Sequence, residues 1–393
     1  MHLARPADSR VLLLSQRRLQ TAKHLTMVYE FEDAVRALDD VQLVAPGPAP
    51  HADTGVVARR LMNGGLSRAG LPRRSPPWTQ PSMRPTTVAG HHDLFFAVFT
   101  DAHQLAHLHR LKGWRERSTR AVCFLTEVWS SAVEADADYY SLLSQFDAVY
   151  LFTPQAGPAL RALGAPDPVF LPVGVDAALF APVPRAPQRV VDLYTYGRTS
   201  PVVHRQLLDL VDSRGLSYVY DTTFQAKVPD HVEHRALMAN LLQRSGASLA
   251  HRINDSGHRL IRTGGEESLS SRYFEISAAG AVVLGSRPRT PDFGACFDWP
   301  DAVVELPYDC QDVEAVLEEL EGQRDRLERA RRHGVRAGLL RHDWVHRWRR
   351  ILEDAGMSVP DRVREREALL RSLADQVPAG SGAEQVPAHS DAA

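Results

Sequence analysis

Lysine is nearly absent from the sequence, although basic residues are not. Among 46 lysines and arginines in 393 residues, only Lys23, Lys112 and Lys227 are lysines, and 48 acidic residues bring the formal net charge to −2. This skew is more typical of coding bias than of function. A net charge near zero argues against a general nucleic-acid binder, because such proteins carry a basic excess.

Cysteines are equally scarce, and long apolar runs are missing. Cys123, Cys296 and Cys310 are odd in number and widely separated, which excludes a disulfide framework and a Cys-x-x-Cys metal site. The longest apolar stretches, such as DLFFAVF (93–99), fall far short of the roughly 20 residues that cross a bilayer. We therefore expect a soluble protein of the reducing cytoplasm. The apolar VLLL (11–14) is too short for a signal-peptide core and predicts a buried strand.

The composition and length predict two folded domains. Hydrophobic residues make up 44% of the chain and charged residues 24%, as in an average globular protein. Apolar runs alternate with helical segments in both halves, which predicts parallel α/β sheets. The predicted strands are 10–15, 41–46, 93–99, 120–126, 148–152 and 168–174 in the first half, and 190–197, 216–221, 247–253, 281–285 and 302–307 in the second.

Composition also suggests where the domains begin and end. We predict a first domain over 1–174, with a flexible Pro/Arg/Gly/Ser-rich excursion at 47–90 that holds a short helix at 56–63. A proline-punctuated linker follows at 175–189, and a second domain spans 190–343. Closing helices occupy 344–375, and 376–393 is predicted to be a disordered tail because it has no apolar pattern.

The segment GGEESLSSRYFEISAAGAVVLG (264–285) carries two glutamates eight positions apart, Glu267 and Glu275. Ser270 and Ser271 are suited to cap a helix that begins near Tyr273, with Glu275 in its first turn. The N–H groups of such a helix start favour an anion, and Arg272 adds positive charge. Glutamates in polar loops are also commonly only solvated, and the small residues here also suit close packing of helix on sheet.

A second cationic group opens the second domain. Strand 190–197 ends at Gly197 and is followed by Arg198, with His204 and Arg205 on the next helix. Ligands of open α/β sheets bind beyond the carboxyl ends of the strands, which is where these cations are expected.

These residues resemble the E-x7-E region of GT-B glycosyltransferases in the group 1, family 4-like superfamily. The stretch SSRYFEISAAGAVVLGSRPRTPDF is also similar to the spore-protein YkvP/CgeB glycosyltransferase-like domain, and FLPVGVDAALFAPVP (170–184) resembles the interdomain crossing of such enzymes. The resemblance implies a GT-B fold: two Rossmann-like α/β domains with parallel sheets facing across a cleft, and C-terminal helices returning to the first domain.

The resemblance also implies a nucleotide-sugar substrate, no other cofactor and no metal, with retention of anomeric configuration. Donor-binding residues would be Glu275 at the ribose, Glu267 at the sugar, and Ser270, Ser271 and Arg272 at the diphosphate, with Tyr273 and His204 beside them. Catalytic residues would be Glu267, Arg198 and Arg205. The acceptor, a glycan, lipid, protein or small molecule, would lie against the first domain, where Glu127 follows a predicted strand and either contacts an acceptor hydroxyl or caps a helix.

One departure from the family leaves an alternative open. The family's usual lysine, five positions after the arginine, is Val203 here, so His204 or Arg205 must substitute for it. If neither does, the chain is a catalytically degenerate GT-B binding or assembly protein. A GT-B epimerase or phosphorylase is a third alternative that no feature specifically supports.

Three other motifs are expected to be decoys. Asp136 and Asp138 form a D-x-D pattern, but it precedes a helical stretch instead of ending a strand, so we expect solvated or capping residues. The histidines between 91 and 109 lack a supporting carboxylate pattern for a metal. The basic stretch 109–120 could contact an anionic membrane peripherally, but a solvated face is the favoured interpretation.

Overall fold

A computed structural model describes residues 9–49, 61–62, 65, 83–222, 226–256 and 263–378. Most of the 47–90 excursion lies outside these residues, as do the helix predicted at 56–63, apart from residues 61 and 62, and the tail from residue 379. Within the described residues, a strand is present at each predicted position, although those predicted at 168–174 and 302–307 are only two residues long.

The strands in the first half of the chain are β1 (Val11–Leu14), β2 (Val41–Val44), β3 (Thr86–Thr87), β4 (His92–Phe99), β5 (Leu111–Lys112), β6 (Ser118–Leu125), β7 (Ala148–Leu151) and β8 (Val169–Phe170). Six of them form a sheet in which every pairing is parallel, in the order β2-β1-β4-β6-β7-β8. The two short strands β3 and β5 pair with each other.

The strands in the second half are β9 (Val191–Thr195), β10 (Tyr218–Tyr220), β11 (Ser245–Ala250), β12 (Val282–Gly285) and β13 (Val304–Glu305). They form a parallel sheet in the order β10-β9-β11-β12-β13. We refer to each sheet with the helices that cover it as the first and the second domain.

Helices cover both sheets. They are α1 (Thr26–Leu38), α2 (Ser130–Val133), α3 (Ala137–Tyr140), α4 (Gly157–Ala162), α5 (Ala177–Phe180), α6 (Pro201–Arg214), α7 (His231–Gln243), α8 (Ser271–Ala278), α9 (Pro291–Cys296), α10 (Val313–Glu321), α11 (Arg324–Ala337), α12 (Trp344–Asp354) and α13 (Asp361–Ala374). Local signals set their ends: Ser200 accepts from the N–H of Val203 and Pro201 begins α6, while Gly215, at φ 69°, ends it.

Strand β4 shows why the first sheet is covered on both faces. Successive side chains of a strand point to opposite faces, and here both sets are apolar and buried. Phe96 and Val98 pack in the core that faces α1 and the C-terminal helices, whereas Phe95 and Phe99 pack in a second core on the other face. The near-continuous apolar run is therefore the signature of a central parallel strand.

The chain crosses between the domains twice, at one place. Val175 of the linker pairs with Asp343 in a parallel bridge, through the N–H of Val175 to the carbonyl of His342 at 3.0 Å. Beyond this crossing, α12 lies on the first domain: Trp344 stacks on Phe31 of α1 with ring centroids 4.5 Å apart. The expected return of the C-terminal helices to the first domain is confirmed. No helix in the described part of the chain is long and apolar enough to cross a bilayer.

Candidate functional site

The carboxyl ends of the strands in both sheets border one cavity between the domains. Its volume is about 190 Å³. From the first domain it is lined by residues that follow β4, β6, β7 and β8, together with residues before and within the first turn of α1. From the second domain it is lined by residues that follow β9 and β11 and by the start of α8. These residues are His24, Met27, Thr100, Thr126, Glu127, Trp129, Phe152, Thr153, Val173, Arg198, Ile253 and Ser268–Ser271. The position agrees with the general location of ligands in open α/β sheets.

Two predicted donor-side elements meet in this cavity. Arg198 follows β9 through Gly197, whose φ of 74° suits glycine. Ser270 is the N-cap residue of α8 in extended conformation, and its side chain makes no capping hydrogen bond. Within the described residues, the first-turn N–H groups of α8 are therefore without a side-chain cap, and they lie next to the loop that carries Arg198. Such a helix start, at the edge of a cavity, suits an anionic group.

Glu127 is a first-domain residue that lines the cavity, as predicted from its position after a strand. It follows β6, and one carboxylate oxygen accepts from the indole N–H of Trp129 at 3.4 Å. The hydroxyl of Thr153 holds this loop by donating to the carbonyl of Val128 at 2.5 Å. The loop that follows β6 and the loop that follows β7 are thus hydrogen-bonded to each other at the cavity wall.

Glu267 lies beside the cavity, and both of its carboxylate oxygens contact other protein residues. Its Oε2 accepts from the N–H of Arg289 at 2.7 Å, and its Oε1 lies 3.5 Å from a guanidinium nitrogen of Arg252. The neighbouring Glu266, which the sequence analysis did not single out, reaches across the cleft and accepts from the N–H of Ser130 at 2.9 Å. Gln155 of the first domain likewise donates to the carbonyl of Glu267 at 3.1 Å.

Arg272 and Tyr273 face the sheet, contrary to the expectation that they border the donor. The Arg272 guanidinium donates to the carbonyls of Arg198, Leu249 and His251 at 2.9–3.3 Å, and the side chain is 5% exposed. Tyr273 is 1% exposed and donates to the carbonyl of Ser286 at 2.8 Å. Arg272 therefore fixes the carboxyl ends of β9 and β11 and does not present its charge to the cavity.

Glu275 is in the second turn of α8, because the helix begins at Ser271 and not near Tyr273; the expectation of a first-turn position is wrong. The residue is 2% exposed. One oxygen accepts from Arg235 of α7 and the other from the hydroxyl of Tyr196 at 2.9 Å. Burial and the Glu275 carboxylate raise the pKa of Tyr196 well above its usual range, so the phenol stays protonated as the donor.

His204 and Arg205 lie on α6 away from the cavity lining. The His204 ring pairs with the hydroxyl of Tyr218 at 2.8 Å and packs against Tyr220, on the side of the edge strand β10. Arg205 is exposed, and Val203, where the resemblance to GT-B enzymes led us to expect a lysine, is fully buried in the core. The arrangement follows from the start of α6 at Pro201, which turns His204 toward β10.

The predicted decoys occupy ordinary structural positions. Asp136 directly precedes helix α3, and burial raises its pKa. His92 pairs with the carbonyl of Ser9 at 2.6 Å, and His103 packs edge-on against Tyr139. Among the described residues, no three His, Cys, Asp or Glu side chains are grouped so that they could hold a metal ion.

His251 is a buried polar residue at this edge of the sheet that the sequence analysis missed. It follows β11, is 1% exposed, and neither ring nitrogen has a hydrogen-bond partner within the described part of the chain. Burial, with Arg272 and Arg198 nearby, lowers its pKa to about 4. The only available signal was its place directly after an apolar strand.

Comparison with known proteins agrees with this architecture. Residues 179–353 match a family model described as glycosyl transferase-like. A search of curated proteins finds no significant match.

Several solved structures share the fold. An α,α-trehalose-phosphate synthase (UDP-forming) from Burkholderia vietnamiensis is 12% identical, with a TM-score of 0.55 over 88% of this chain and 99% of that one. Anabaena HepE (Alr3699), in complex with UDP and glucose, is 12% identical, with a TM-score of 0.51 over 88% and 99%. An alpha-glucosyltransferase (AGT) in complex with UDP is 10% identical, with a TM-score of 0.51 over 88% and 100%. The fold is therefore GT-B.

Proposed function

We propose that the chain is a glycosyltransferase that moves a sugar from a nucleotide-sugar donor to an acceptor bound by the first domain. One observation carries the proposal: a single cavity joins Arg198 and the uncapped start of α8, from the second domain, to Glu127, from the first. The glycosyl transferase-like match of residues 179–353 supports the same activity.

The chemistry follows from the charges around this cavity. The leaving diphosphate develops negative charge, which Arg198 and the N–H groups at the start of α8 are suited to stabilise. We therefore propose a metal-independent reaction, with retention of configuration and a cytoplasmic location as further parts of the proposal. Glu127 is proposed to accept a hydrogen bond from the acceptor hydroxyl.

A donor panel tests the proposal. Purified protein is incubated with UDP-, GDP-, ADP- and dTDP-sugars in EDTA, and nucleotide release and thermal shift are recorded with and without sugar, lipid and peptide acceptors. UDP-sugars come first, because the three GT-B structures above are described with UDP or as UDP-forming. Release by one donor class in EDTA is expected. No turnover and no thermal shift with any nucleotide would contradict the proposal.

Arg198→Met tests the role of the cavity arginine. Removing one donor that stabilises developing charge lowers kcat by roughly 100-fold or more. Arg329→Met on α11, an exposed arginine outside the cavity lining, is the matched control and should retain full turnover. Equal activity of the two variants would remove Arg198 from the mechanism.

One observation favours a second candidate, a GT-B protein that binds a nucleotide without turning it over. The family's lysine position is filled by Val203, which is fully buried, and His204 and Arg205 do not line the cavity. A thermal shift with a nucleotide, combined with no release from any nucleotide sugar, would support this candidate over the enzyme.

A further inference from the structure

The Arg235 side chain connects Glu275 to the first domain. It is 2% exposed on α7, and its guanidinium grips Glu30 of α1 with two hydrogen bonds, from Nε at 2.6 Å and from Nη2 at 3.1 Å. Its remaining nitrogen, Nη1, donates to Oε1 of Glu275. The guanidinium also lies over the Phe180 ring, 4.7 Å from its centroid. One buried arginine therefore holds two carboxylates from different domains.

Glu30 in turn contacts both crossings of the chain between the domains. Its Oε1 accepts from the indole N–H of Trp344 at 2.8 Å and from the N–H of Asp176 at 2.9 Å. Asp176 belongs to the linker, and Trp344 begins the returning helix. Because the backbone passes between the two domains at these crossings, any movement of one domain relative to the other must bend the chain there. The Glu30–Arg235 pair consequently lies at the hinge.

The hydrogen bonds that the Glu275 carboxylate already accepts determine how many more it can accept. Each of its oxygens holds one donor, Nη1 of Arg235 or the hydroxyl of Tyr196, and an ionised carboxylate has about four acceptor positions. The other two guanidinium nitrogens of Arg235, Nε and Nη2, donate to Glu30. Without Glu30, the planar guanidinium of Arg235 could rotate and donate one hydrogen bond to each Glu275 oxygen. Arginine commonly pairs with a single carboxylate in this way.

We propose that Arg235 is a positioning residue that couples Glu275, and through it helix α8, to the interdomain hinge, with Glu30 holding the guanidinium from the first domain. The coupling itself concerns the protein alone. Its consequence for donor binding rests on the proposed function, because the start of α8 lines the cavity. Because coupling between two sites is reciprocal, a change at Glu275 must alter how Arg235 holds Glu30, and a change at Glu30 must alter how Arg235 holds Glu275.

The first experiment needs no ligand. Hydrogen exchange is followed by mass spectrometry in the full chain for the wild type, Glu275→Gln and Tyr196→Phe. Glu275→Gln removes one of the two carboxylates that share Arg235, and we expect exchange in α1 (26–38) to change at least tenfold, whereas Tyr196→Phe leaves it unchanged. Unchanged α1 exchange in Glu275→Gln overturns the proposal. A rise spread evenly over both sheets indicates only general destabilisation and also overturns it.

The second experiment uses a nucleotide sugar that the wild type turns over. Glu30→Gln should raise donor KM at least tenfold with kcat changed less than threefold. Arg366→Gln is the matched control, since Arg366 binds Asp176 and Asp343 at the same crossings without contacting Glu275, and it should leave donor KM unchanged. Equal KM for the two variants overturns the proposal. If the wild type binds no nucleotide, the proposed function fails, and the exchange experiment still decides the coupling.

Discussion

His251 shows what burial does to a single titratable residue. The ring has almost no contact with water and no hydrogen-bond partner among the described residues, and it packs edge-on against Tyr308 at 5.2 Å. The charged form is disfavoured by burial and by the neighbouring arginines, so the pKa falls to about 4. His251 is consequently neutral in the folded protein at any pH near 7.

This shift predicts a pH dependence of stability. Unfolded His251 binds its proton near pH 6.5 but folded His251 only near pH 4, so the unfolded state binds more protons between these values. As pH falls through this window, the wild type should lose up to about 3 kcal/mol of unfolding free energy more than His251→Phe.

Urea unfolding between pH 4 and pH 8 measures the difference. His251→Asn, which keeps a polar side chain without a titrating group, should follow the Phe variant in its pH slope. Parallel curves for the wild type and both variants would show that His251 is not buried in this way.

At the residue scale, the sequence predicted position better than orientation. Arg198, Ser270 and Glu127 reach one cavity because each follows a strand or begins a helix, and the carboxyl ends of parallel strands share an edge. Arg272 and Glu275 point elsewhere because α8 packs against partners distant in sequence. The ion pair of Glu275 with Arg235 joins positions 40 apart, and no local pattern indicates it.

Helices α8 and α11 form an interface built from small residues. A Cβ added at Gly334 of α11 would lie 2.9 Å from the carbonyl oxygen of Ser277, and one added at Gly338, directly after α11, would lie 2.8 Å from the Cβ of Ala278. The backbones approach so closely because the side chains are missing. The run of small residues after Glu275 is thus explained by packing, as the sequence analysis allowed.

Gly334→Ala should therefore push α8 away from α11 and lower the unfolding free energy by about 1–3 kcal/mol, the usual cost of overpacking. Gly294→Ala in α9 is the control, because nothing lies within 4 Å of its added Cβ. That variant should be neutral or more stable by up to about 1 kcal/mol, since alanine favours a helix over glycine. Chemical denaturation compares them, and similar values would contradict the close approach.

At the element scale, strands could be predicted because apolar runs bounded by turn residues are local signals. Strand β4 is apolar over 94–99 and is buried on both faces, as a central strand requires. The ends were less predictable: β8 and β13 are only two residues long, although longer runs were expected. Their length is set by pairing with a neighbouring strand, which a single segment does not encode.

Across the whole molecule, contacts on both sides of the cleft hold the domains together. Glu266 and Gln155 bridge it at the loop before α8, and the N–H of Val228 donates to the carbonyl of Thr21 at 2.7 Å. The cavity, of about 190 Å³ and partly open to solvent, is smaller than the roughly 300–1,000 Å³ of typical ligand pockets. We therefore expect the proposed nucleotide-sugar donor to enter only when the cleft opens.

Glu266→Ala should speed this opening, because it removes the carboxylate that binds the N–H of Ser130. We expect the association rate of the nucleotide found in the donor panel to rise severalfold, measured by stopped-flow fluorescence of Trp129 in the cavity wall. Gln243→Ala is the control: its amide binds the carbonyls of Leu179 and Phe180 away from the cavity. The same rate in both variants would argue against Glu266 as a restraint.

The chain crosses between the domains at both Val175 and Asp343, so the first domain is built from two separate segments of the sequence. Trp344 and Trp348 are both buried, and they complete a core whose other wall comes from Phe31 and Phe96. A fragment that stops before residue 344 would leave that core open to water. Replacing the second domain with that of a homologue, by evolution or by design, therefore requires two cuts in the chain, at points that are adjacent in space. The returning helices must stay with the first domain that they complete.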